Sequence, residues 1–94
     1  MPLDIEVIPI LIKNMVKFLE DVTNVKITEM YKDLINLTPL EQKAYIQREL
    51  KPYELDIDEL IEKLIILHNL DKNKFKVEHL QKFRRFLNAL IEAV

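Results

Sequence analysis

The chain has 94 residues, about half of them apolar and a third charged, a formal net charge of −2, and not one Gly, Ser, Cys or Trp. These absences remove the P-loop, the dinucleotide fingerprint and the Gly-x-Ser-x-Gly elbow, each of which needs glycine where backbone turns sharply or approaches phosphate. They also remove the two commonest nucleophiles, every disulfide, and zinc or iron–sulfur centres held by cysteine.

A chain of this length buries one core and has little to spare for a walled substrate cavity. We therefore read residues 1–94 as a single helical-bundle domain with a radius of gyration of roughly 12 Å. The small net charge exerts no global pull toward nucleic acid or anionic lipid. The N-terminus, Met-Pro-Leu-Asp-Ile-Glu, is acidic where a secretory signal is basic. The longest apolar run, residues 7–12, contains Pro9 and is too short to cross a bilayer. A cytoplasmic protein without a membrane partner is the expectation. Richness in Ile, Leu, Lys and Glu suits a thermophile. The six Asn residues argue the other way, and an AT-rich genome gives a similar bias, so the source stays open.

Helical periodicity runs through the whole chain and strand alternation is nearly absent. Ile5, Ile8, Ile12, Met15, Leu19 and Val22 step by three and four, widened by Leu11, Val16 and Phe18. A stripe this wide predicts a helix with several neighbours. Asp4 is its candidate cap. Pro9 removes one backbone donor, so we expect a kink there or a helix that starts late. A second, short helix follows, with Ile27, Met30, Tyr31, Leu34 and Ile35 on one side.

Thr38-Pro39-Leu40-Glu41 is the clearest local signal: an N-cap, a proline preset for the first helical position, and the glutamate of a capping box. The third helix runs from there to about Leu50, and Pro52 stops it. Asp56 and Glu59 repeat the capping-box pattern, with Leu55 and Leu60 at the two positions of a hydrophobic staple. The fourth helix carries Ile57, Leu60, Ile61, Leu64, Ile65, Leu67 and His68. Residues 71–74 break the chain. The last helix shows Leu80, Phe83, Leu87, Leu90 and Val94, flanked by Val77, Phe86 and Ile91.

The sequence thus predicts an all-α fold, a compact antiparallel bundle of four main helices plus one short helix, with the first and fourth helices central. The predicted core is Ile8, Ile12, Met15, Leu19, Leu34, Leu40, Leu60, Leu64, Phe83, Leu87 and Leu90.

The stretch from Tyr31 to His68 resembles a helical domain of unknown function that often precedes hemerythrin-like and PAS sensory modules. Tyr31, Leu34, Thr38, Pro39, Glu41, Gln47, Leu50, Glu59, Leu60 and His68 sit in places corresponding to that family's pattern. The family turn has a Gly where this chain has Lys51-Pro52-Tyr53 and about two more residues. Its Cys just before the His is replaced here by Ile65, Ile66 and Leu67. The resemblance implies an accessory or regulatory helical domain and brings no catalytic residue with it.

Chemistry-bearing clusters are few. His68 ends an apolar helix, where the plain reading is a half-buried histidine with one hydrogen bond, against a ligand or pH-responsive role. His79 reads as solvated. No Glu-x-x-His occurs, so a di-metal bundle site has no support. Glu54, Asp56, Asp58 and Glu59 lack the Gly of an EF-hand loop and are explained by capping and the helix dipole. We expect no catalytic residue, no cofactor and no metal.

The chain is electrostatically divided. Glu49, Glu54, Asp56, Asp58, Glu59 and Glu62 stand against Lys51, and then Lys72, Lys74, Lys76, Lys82, Arg84 and Arg85 stand against Glu78. The basic segment reads first as a solvated face and second as a surface for an acidic partner, in the same molecule or another. Third comes weak, salt-sensitive nucleic-acid binding, helped by interleaved Phe75, Phe83 and Phe86. A helix-turn-helix opened by Thr38 would present Glu41, Lys43, Gln47, Arg48 and Glu49, a poor set for a DNA groove. The expected function is a non-catalytic protein-interaction or regulatory module. Its expected surface is the basic segment with Phe86 and Ile91, open to a partner helix or a second copy.

Overall fold

The computed structural model describes residues 5–94, and every regular element among them is a helix. The main helices are α1 (Val7–Thr23), α4 (Pro39–Glu49), α5 (Ile57–Leu67) and α6 (Val77–Glu92). The predicted short helix is two single turns, α2 (Ile27–Met30) and α3 (Lys32–Ile35), separated at Tyr31. Short 3₁₀ turns occupy Lys51–Tyr53 and Lys72–Lys74. The radius of gyration is 12.7 Å.

The helix boundaries follow local chemistry. Helix α1 starts late, so Pro9 is its third residue. The N–H that proline lacks is there one of the four without an intrahelical acceptor. The candidate cap Asp4 lies outside the described residues. Thr38 and Glu41 form the predicted capping box: the Glu41 N–H donates to Thr38 Oγ1 at 3.2 Å, and the Thr38 N–H donates to Glu41 Oε1 at 3.0 Å. At α5 only half the box forms, with the Glu59 N–H donating to Asp56 Oδ1 at 3.1 Å. The Asp56 N–H donates instead to the Tyr53 carbonyl at 2.9 Å, the closing bond of the preceding turn.

Without glycine, asparagine takes the two left-handed positions, Asn24 at φ 60° and Asn69 at φ 52°. Asparagine tolerates this region better than most residues with a Cβ. Asn24 closes α1 with an N–H bond to the Glu20 carbonyl. Asn69 ends α5 in a Schellman motif: its N–H reaches the Ile66 carbonyl at 3.1 Å, and the Leu70 N–H reaches that of Ile65 at 2.9 Å.

The core is one contiguous cluster contributed by all four main helices, by Ile27 of α2, and by Leu50, Leu70, Phe75 and Ala93 at or beyond helix ends. Phe83, Leu87 and Leu90 of α6 are fully buried, as is Ile8 of α1. Each such side chain contributes about 1.5–3 kcal/mol relative to exposure. Helix α6 packs on α1, α4 and α5, and α1 packs on α2, α3, α4 and α6. The central pair is therefore α1 and α6, not α1 and α5, the first and fourth helices of the sequence reading. Helix α5 turns Leu60, Ile61 and Ile65 inward and leaves Ile66 and Leu67 exposed.

Two further expectations are corrected. Leu40 is 65% exposed, and Gln42 takes its place inside at 1%. At about 100° per residue, Gln42 lies close to the buried Ile46 on the helix wheel, whereas Leu40 lies far round it. The capping box fixes that phase. Leu55 is 97% exposed, so the staple with Leu60 does not form.

Candidate functional site

The acidic and basic segments meet within the molecule. Arg84 of α6 pairs with Asp58 at the start of α5, and Lys72 pairs with Glu62. Both pairs are solvent-exposed, where such contacts contribute about 0–1 kcal/mol. The Lys74 ammonium donates to the carbonyl of Thr23, the last residue of α1, at 3.3 Å. There it neutralises part of the negative end of that helix. Three of the six predicted basic residues thus answer groups of the same chain.

The others divide. Lys82 lies over the rings of Phe18 and Phe86, 5.2 and 6.0 Å from their centroids. Lys82, Arg85 and Phe86 share an open groove of about 210 Å³ between α1 and α6, with Leu11 and Ala89 as its apolar walls. An adjoining hollow of about 310 Å³ runs over Phe18 and Phe86 to Lys17 and Asp21. Lys76 is exposed at the start of α6 and stands outside both spaces. Ile91 is 5% exposed and belongs to the core, so it offers no apolar flank to a partner. Phe86 is half-buried against Phe18, their centroids 5.7 Å apart.

A second feature lies where α1, α4, α5 and α6 converge. A cavity of about 30 Å³ is lined by Ile12 and Val16, by Ile46 and Leu50, and by Leu64 and Leu90. Its remaining wall includes Met15, Leu34, Tyr31, Tyr45 and His68. Met15, Leu34 and Leu64 are the three predicted core residues that stop at half burial, and all three border this space. The cavity is small and apolar, but it exceeds the roughly 10–15 Å³ that a water molecule requires.

Tyr31 and His68 close one side. The tyrosine hydroxyl is hydrogen-bonded to His68 Nε2, and the rings meet edge to face with centroids 4.8 Å apart. Burial holds the His68 pKa below its ordinary value of 6.5. Burial, followed by the Glu49 charge, pushes the Tyr45 phenol above its ordinary value of 10.0. His79 does something else: its Nδ1 accepts the Lys76 backbone N–H at 3.1 Å, so the imidazole caps α6. Its ring also meets Phe18 edge to face, centroids 6.2 Å apart.

Sequence reasoning found His68 and Tyr31 separately but did not pair them, since 37 positions separate them. Tyr45 and Gln42 were missed. Gln42 stands four residues before Ile46, as Ile46 does before Leu50, and Tyr45 stands three after Gln42, so the spacing places both on the inner face of α4, a signal obscured by the apolar Leu40. Among the described residues, no group of three or more His, Cys, Asp or Glu side chains is placed to hold a metal ion. No helix among them is long and apolar enough to cross a membrane.

Comparison with known protein families, with characterised proteins and with solved structures found no match.

Proposed function

We propose that this chain is a non-catalytic protein-interaction or regulatory module, and that its partner surface is the groove between α1 and α6. One observation carries the reading: Lys82, Arg85 and Phe86, from the segment singled out in the sequence, converge there with Leu11 and Ala89 in an open apolar trough edged by cations. Apolar contact with an aromatic anchor supplies binding energy, and two cations select the charge of the partner. A helix or extended segment with an apolar stripe and flanking carboxylates matches that arrangement.

The test is copurification from the source organism with wild-type chain and with the K82E/R85E double variant. Both side chains are exposed, so the fold tolerates the change. A partner retained by the wild type and lost by the variant is the expected result. A partner retained equally by both, or a strict monomer that retains none, removes the support.

A further inference from the structure

The wall between the interior cavity and the outside is thin and is built from side chains that serve both spaces. Tyr31, Leu34 and Tyr45 line the 30 Å³ cavity on one side. On the other side the same three residues, with Met30, Leu37 and Asp33, line an open groove of about 320 Å³. Tyr31 sits at the junction between α2 and α3, and Leu34 is on α3, helices of four residues each. Helices that short have no stability of their own and hold their places only through packing. Displacement of the Tyr31 ring from this wall opens the cavity to the groove.

The chemistry of the joined space is specific. Its deep wall is aliphatic, from Ile12, Val16, Ile46, Leu50, Leu64 and Leu90. No Lys, Arg, Asp or Glu lines the inner cavity, so a charged ligand finds no counter-charge there, and the one charged residue of the outer groove, Asp33, repels an anion at the entrance. The polar side chains on its wall are two tyrosines and His68. The phenol of Tyr31 already shows what the imidazole accepts: an aromatic ring set edge to face with it and a hydroxyl on Nε2.

We propose that this space is a binding site for a small, neutral phenol with an apolar substituent, which displaces Tyr31 and places its own hydroxyl on His68 Nε2. Tyr31 is then a plug that imitates the ligand, and affinity is set by the difference between the two. The inference goes beyond the interaction surface and is independent of it. None of Leu11, Lys82, Arg85, Phe86 and Ala89 touches this cavity.

The test is a titration of the full chain with p-cresol, the Tyr side chain in free form, followed by the imidazole NMR signals of His68 and His79. The expected result is a saturable shift of His68 with His79 unmoved, and a melting temperature that rises with ligand concentration. Toluene, which lacks the hydroxyl, binds about tenfold more weakly, the equivalent of one net hydrogen bond of about 1.4 kcal/mol. The conservative variant Tyr31→Phe, which keeps the ring and frees Nε2, binds p-cresol more tightly than wild type, and His68→Leu erases the preference over toluene. A His68 signal that stays fixed at saturating p-cresol overturns the site. Equal affinity for toluene overturns the hydroxyl recognition. Equal affinity of wild type and Tyr31→Phe overturns the plug.

Discussion

The buried side chain of Gln42 donates to the carbonyl of Leu34 at 3.1 Å, tying the interior of α4 to the last turn of α3. A longer bond of 3.4 Å reaches the carbonyl of Ile35. Helix ends leave carbonyls without partners, and α3 is too short to satisfy them within itself. The amide oxygen has no hydrogen-bond partner among the described residues. Gln42→Leu therefore relieves one unsatisfied acceptor, removes the bond to the Ile35 carbonyl, and takes one of two bonds from the Leu34 carbonyl, which also accepts the Leu37 N–H at 3.1 Å. We expect a net loss of about 1–3 kcal/mol in urea unfolding. Gln42→Glu costs more, because it buries a carboxylate against carbonyl oxygens. Wild-type stability in Gln42→Leu would show that the bonds to α3 contribute nothing.

Leu87 and Leu64 were equivalent in the sequence and are not equivalent in the fold. Leu87 is fully buried on the central helix α6, and Leu64 is half-buried at the edge of the existing cavity. Leu87→Ala removes a fully packed side chain and is expected to cost about 3–5 kcal/mol. Leu64→Ala removes one already partly hydrated, and the expected cost is about 1–2 kcal/mol. Paired denaturant titrations decide this, and equal losses would contradict the assignment of the cavity.

His68 makes stability depend on pH in a defined window. Its folded pKa lies below its ordinary 6.5, because burial disfavours the imidazolium. The unfolded chain therefore binds more protons below that pH, and stability falls as pH drops through 6.5 toward the folded value. Protonation also turns Nε2 into an obligatory donor toward Tyr31. Glu20 and Glu41 are held below 4.5 by their hydrogen bonds to Thr28 and Thr38, so their contribution is lost only in a more acidic range. Thermal melts between pH 5 and 7 should show a slope in wild type that His68→Leu flattens. An unchanged slope in the variant assigns the effect elsewhere.

The helix starts differ in what they contribute. Thr38→Ala removes a hydroxyl that accepts the Glu41 N–H and should cost about 0.5–2 kcal/mol. Leu55→Ala should change stability by less than about 0.5 kcal/mol, since that side chain packs on nothing inward. A substantial loss at Leu55 would restore the hydrophobic staple.

The all-helical fold and its boundaries were legible because their causes are local. Thr38, Asp56, Pro39 and Pro52 act within one turn of themselves, and the apolar stepping of α1 and α6 is uninterrupted. What was not legible depends on which faces meet. Leu40 read as core, and Leu67 as part of the apolar stripe of its helix, because periodicity gives a stripe without saying how much of it a neighbour covers. The charge division of the chain was visible, but whether Arg84 and Lys72 find Asp58 and Glu62 depends on how α5 and α6 align. The pairing of Tyr31 with His68 is set by tertiary packing alone, as is the cavity that they close.

The most direct test of the interaction reading maps the copurified partner onto the chain by ¹H–¹⁵N shift perturbation. We expect the largest shifts at Leu11, Lys82, Arg85, Phe86 and Ala89, with the outward turn of α5 at Ile66 and Leu67 silent. Shifts centred on Ile66 and Leu67, with the groove between α1 and α6 unperturbed, would contradict it.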